Sequence, residues 1–94
     1  MTEKTLPDYI NATDAGAEIT LRKAIDIDGT KIPVLAMREP TVEDQLIMEA
    51  TKGSDAVKEM TFIANLCGVG LVDVKKLTTR DYGRVQDAFQ VFKD

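Results

Sequence analysis

The chain has 94 residues, 44% hydrophobic and 30% charged, which suits one modest domain and is too apolar for a disordered chain. A formal charge of −4 without clustered Lys or Arg argues against a nucleic-acid partner, whose phosphates need neutralising. No apolar run approaches the roughly 20 residues that cross a bilayer, there is no apolar leader, and the one cysteine, Cys67, has no internal partner, so a soluble protein of a reducing cytosol is expected. On that reading the Asn11-Ala12-Thr13 glycosylation sequon is a chance match.

Residues 1–17 carry Pro7, Gly16 and many polar side chains without periodicity, which predicts a flexible arm ahead of a single domain at 18–94. Its one apolar knot is Leu6, Tyr9 and Ile10, able to dock on the domain or on a partner. From Ile19 the pattern alternates: Ile19, Leu21, Ile25 and Ile27 mark a half-buried strand interrupted at Lys23. Asp28-Gly29 is a strong hairpin signal, and a second strand follows over about 31–38. Its inward face is either Ile32, Val34 and Ala36 or Pro33, Leu35 and Met37. The larger side chains favour Leu35 and Met37, and Pro33, which has no N–H, suits an edge.

Pro40 disfavours helix at Glu39 and ends the extended segment. Thr41 with Asp44 three residues on predicts a capped helix, with Val42, Leu46 and Ala50 as its buried stripe, Ile47 and Met48 beside it, and Gly53 as a left-handed stop. Ser54 caps a second helix. There Ala56, Met60, Ile63 and Cys67 share one face with Val57 and Ala64 alongside, and Gly68 ends it. A short helical turn is expected from about Val72. Leu77, Thr78, Asp81 and Tyr82 then open a last helix as a staple plus near capping box, with Tyr82, Val85, Phe89 and Phe92 as its stripe and Ala88 in the seam. The fold class read from this order is α+β, an N-terminal β-hairpin followed by a small three- to four-helix bundle.

Little in the chain points to catalysis. Without His there is no imidazole base, so Cys67 reads as a small buried thiol. Asp26 and Asp28 beside Gly29 lack the remaining ligands of a calcium loop, and Gly68-Val69-Gly70 lacks the Lys-Ser/Thr pair of a phosphate loop. Arg38 and Glu39 read as an exposed ion pair at a strand end. We therefore expect no enzyme activity, no cofactor and no metal.

Four stretches in order, a "DG" hairpin, "LAMREPTVEDQLIMEATKGSD", "FIANLCGV" and "DVKKLTTRDYGRVQDAF", resemble the small tail assembly chaperones of Mu-like and P2-like phages and prophages. The resemblance spans residues 19–92 and leaves the arm aside. It implies a non-enzymatic protein of the host bacterial cytoplasm that holds the tape measure protein during tail building and is missing from the finished virion. It also implies that a frameshift can add a C-terminal extension that recruits tail tube protein, in which case this chain is the shorter product. A homo-oligomer is compatible with such a role.

Phe62, Leu66 and Leu71 lie off the main helical faces, and methionine repacks readily against varied surfaces. Met48, Met60, Phe62 and Leu66 are accordingly the candidate partner-binding residues, with core membership the competing reading for each. A DNA-binding regulator is the alternative function, set back by a last helix whose Arg80, Arg84 and Lys93 are balanced by Asp81, Asp87 and Asp94. A structural tail component is the other.

Overall fold

Why the chain pairs where it does follows from its turns. A computed structural model describes residues 5–93. Strand β1 (Ile10–Thr13) and strand β2 (Gly16–Ile27) meet at a tight turn in which the Gly16 N–H donates to Thr13 Oγ1 at 3.1 Å. Asp28 and Gly29, at φ 52° and 85°, then return the chain into β3 (Thr30–Arg38), and Asp26 accepts a hydrogen bond from the Gly29 N–H. All pairings are antiparallel, in the order β1-β2-β3. The hairpin expected from sequence is present, and a third strand extends it. That third strand corrects the flexible arm expected over residues 1–17. Ile10 is buried, Leu6 and Tyr9 pack on the core, and the Thr20 N–H donates to the Tyr9 carbonyl. Alternation failed to mark β1 because only its first residue points inward. Residues 1–4 of the expected arm lie outside the described residues.

One sheet face carries Ala17, Ile19, Leu21, Ile25, Leu35 and Met37, all buried, while Glu18, Thr20, Val34 and Ala36 face outward. The register preferred from side-chain size is the one observed. It breaks between Thr20↔Val34 and Ile25↔Ile32, where β2 bulges opposite Pro33. Lys23, the interruption in the alternating pattern, lies in this bulge. Pro33 has no N–H to offer the ladder there.

Four helices follow: α1 (Val42–Ala50), α2 (Asp55–Cys67), α3 (Leu71–Val74) and α4 (Thr79–Asp87), the last running into a 3-10 segment, Ala88–Phe92. The fold is α+β. Ser54 and Thr78 cap α2 and α4 through their side-chain oxygens, and Gly68 ends α2 in the left-handed region at φ 67°. Ile63 and Ala64 of α2, with Val85 and Ala88 behind α4, close the core over the sheet. Each such side chain fully withdrawn from water contributes roughly 1.5–3 kcal/mol, except the smaller alanines.

Details of the helices differ from expectation. Helix α2 also buries Phe62 and Leu66: Phe62 stacks on Phe89 of the 3-10 segment at 5.8 Å and Leu66 lines a hollow with Met37 and Arg38 of β3, while Ala56, expected on the buried face, is exposed. Helix α1 stops at Ala50, with Thr51 as an extended C-cap, ahead of the expected stop at Gly53.

Asp81 supplies half of the expected box. Thr78 Oγ1 accepts from the Asp81 N–H, but the Asp81 carboxylate turns away from its own helix. It accepts the backbone N–H groups of Arg22 and Lys23 at 2.9 and 3.0 Å, satisfying the bulge in β2, and is fully buried. Arg84, on the same helix, donates to the Thr20 carbonyl at 2.9 Å and lies over the Tyr9 ring at 4.3 Å. Helix α4 is thereby fastened to the irregular part of the sheet.

Candidate partner-binding surface

The joint between β3 and α1 sets the surface. Thr41 and Asp44 form a reciprocal capping box: Asp44 N–H to Thr41 Oγ1 at 3.3 Å, and Thr41 N–H to Asp44 Oδ2 at 2.8 Å. Arg38, the last residue of β3, closes on the same carboxylate with two contacts, Nη1 to Oδ2 at 2.6 Å and Nη2 to Oδ1 at 2.8 Å. A bidentate guanidinium–carboxylate pair fixes orientation as well as distance. The Arg38 hydrogen bonds, followed by that from the Thr41 N–H, hold the Asp44 carboxyl well below the usual range. Arg38 therefore pairs with Asp44, not with Glu39 as its sequence neighbour suggested. From Glu39 it takes only a weak backbone contact at 3.4 Å.

Fixing Asp44 inward turns the rest of α1 outward. On a helix of 100° per residue, Val42, Leu46 and Ala50 lie opposite Asp44 and Met48. Val42 is 74% exposed, Leu46 61% and Ile47 45%. The stripe expected to be core is thus a solvent-facing ridge, and Asp44 is the only fully buried residue of the helix. Sequence periodicity located the stripe correctly and misassigned its direction, because any amphipathic pattern shows a face without showing what covers it.

On the other side of α1 an open groove of about 480 Å³ runs toward α2 and the 3-10 segment. Met48, Phe62, Phe89 and Phe92 form its apolar lining, with Glu59 and Gln86 as polar contributors. Glu59 accepts from Tyr82 Oη at 2.6 Å and from Gln86 Nε2 at 2.8 Å. Burial, and then that bond to Glu59, push the Tyr82 hydroxyl far above its ordinary range, so it stays a donor.

The four candidate residues do not form one site. Met48 and Phe62 share the groove, although Phe62 is only 9% exposed. Met60 lines a separate hollow with Leu77 and Tyr82, and Leu66, 2% exposed, is part of the core. Val42, Leu46 and Ile47 were missing from that set. A wheel anchored on the cap residue Asp44 as the inward point is the signal that would have exposed them.

Among the described residues no group of three or more Cys, Asp or Glu is placed to hold a metal ion. No helix there is long and apolar enough to cross a membrane.

A protein-family model described as phage tail assembly chaperone proteins, E, or 41 or 14, matches residues 18–94. The chain belongs to that phage tail assembly chaperone family. The match begins inside β2 and takes in the joint, the ridge of α1 and the groove, so every feature of this surface lies within the matched residues. Comparison with curated proteins and with solved structures found no match.

Proposed function

We propose that this tail assembly chaperone binds the tape measure protein of its phage and shields it until the tail tube encloses it. The observation that carries this reading is the exposed ridge of α1, Val42, Leu46 and Ile47, on a helix that buries almost nothing of its own. An apolar stripe left in water is the usual mark of a surface meant for another chain. The groove with Met48 beside it adds adaptable apolar area.

A long tape measure chain exposes apolar surface before it is enclosed, and such surface aggregates. Many small acidic domains coating it would cover that surface, and their net charge of −4 each would keep the assembly dispersed. The chaperone works in the host cytoplasm and leaves before the virion is complete. A longer frameshift product would bring tail tube protein to the coated chain.

The test is co-expression with the tape measure protein encoded in the same genome, followed by size-exclusion chromatography. Soluble tape measure protein co-eluting with several copies of this chain supports the reading. Tape measure protein that stays insoluble with both this chain and its longer product refutes it.

A further inference from the structure

From the charges around the ridge of α1 we infer that its occupant is an amphipathic helical segment of the client whose apolar stripe is flanked by lysine or arginine. The inference rests on the proposed function and names the surface and the chemistry that would carry it.

Shape gives the helix. Val42, Leu46 and Ala50 follow one another at four-residue spacing along a ridge about one side chain wide and roughly 12 Å long. Such a ridge fits the groove between side-chain rows of another helix. Ile47 widens it on one side.

Charge gives the sign. Glu43 and Glu49 are exposed at the two sides of the ridge, and among the described residues neither has an ion-pair partner. The third acid of α1, Asp44, is already taken by Arg38. Helix α1 carries no basic residue in its last turn, so its negative dipole end is uncompensated within the helix. Lys52, in the following turn, is the nearest base in sequence. A second copy of the same ridge would bring two more glutamates against these two, an arrangement that like charges oppose. A client helix with lysine or arginine beside its stripe pairs both acids at the rim while its apolar residues cover Leu46. That is the geometry of an amphipathic helix docked on a complementary face.

Full-length tape measure protein is the probe, with binding measured against the unaltered chain, Leu46→Asp and the double variant Glu43→Lys/Glu49→Lys, each checked for an unchanged circular dichroism spectrum and melting temperature. Leu46→Asp and the double variant should each weaken binding by about tenfold or more, and added salt should weaken the unaltered complex but spare the double variant. Co-elution undiminished in Leu46→Asp overturns the inference and leaves the proposed function standing. Loss in Leu46→Asp with equal or tighter binding by the double variant also overturns it, since the occupant is then not basic. No co-elution with either the unaltered chain or its longer product removes the function and this inference together.

Discussion

Arg38 at the end of β3 holds Asp44 in the first turn of α1 through two contacts of 2.6 and 2.8 Å, and this pair decides which face of α1 meets water. The carboxylate is shared with the helix cap, so strand end, turn and helix start form one unit. Arg38 is the last residue of the strand, Pro40 keeps Glu39 out of the helix, and Thr41 caps its start.

The pair carries a pH signature. Because Asp44 titrates below its ordinary value of 3.8 when folded, its contribution is full above that value and is lost as pH falls through the lower, folded pKa. Arg38→Gln brings the two states' pKa values closer together. The melting temperature of this variant should therefore lie below that of the unaltered protein at pH 7, and the gap should narrow on acidification below pH 3.8. A gap that widens with acid would contradict the pairing.

Asp81 serves two strand N–H groups that have no partner in the ladder. Asp81→Ala should cost about 2–4 kcal/mol in urea unfolding, and Asp81→Asn about half of that because one acceptor oxygen survives. Amide exchange at Arg22 and Lys23 should accelerate in both. A loss below about 0.5 kcal/mol would mean that water satisfies the bulge equally well.

Gly16 allows β3 to approach. A Cβ there would sit 2.0 Å from the Met37 carbonyl oxygen and 2.9 Å from the Arg38 Cα, both backbone atoms with little freedom to move. Gly16→Ala should destabilise by about 2–4 kcal/mol and loosen the strand end that bears Arg38, read as faster amide exchange at the end of β3. Normal stability in this variant would show that the turn between β1 and β2 shifts at little cost.

Phe62 and Leu66 separate packing from binding. Both lie in the core, and Phe62 stacks on Phe89, so Phe62→Ala should cost about 3–5 kcal/mol and Leu66→Ala about 2–5 kcal/mol in chemical denaturation. Leu46→Ala, on the exposed ridge, should stay within about 0.5 kcal/mol. Equal costs for Phe62 and Leu46 would mean that α1 packs differently.

Cys67 should be a slow thiol. Burial pushes its pKa up to about 11, so the folded state favours the neutral form, a preference present at ordinary pH and lost as pH rises through about 11. Alkylation at pH 8 should run at least about tenfold slower in the native protein than in urea. Equal rates would show that Cys67 is open to solvent.

Elements whose cause is local were readable from the chain. The positive φ demanded by Asp28-Gly29, the oxygen caps at Thr41, Ser54 and Thr78, and the left-handed stop at Gly68 all act within a few residues. The candidate surface was half legible: Met48 and Phe62 were named and meet in one groove, while Leu66 was not separable from the core. Strand β1 escaped notice because one inward residue makes no periodicity.

By itself, then, the sequence determined the α+β order, the Asp28-Gly29 turn and the existence of an apolar stripe on α1. Only the tertiary structure decided that the stripe faces water, that Asp81 belongs to β2 as well as to its own helix, and that Phe62 belongs to the core. The reason is physical. Periodicity and capping are set by backbone geometry over three to four residues, whereas the direction a face takes depends on what packs beside it, and for α1 that is Arg38 at the end of β3 together with helix α2.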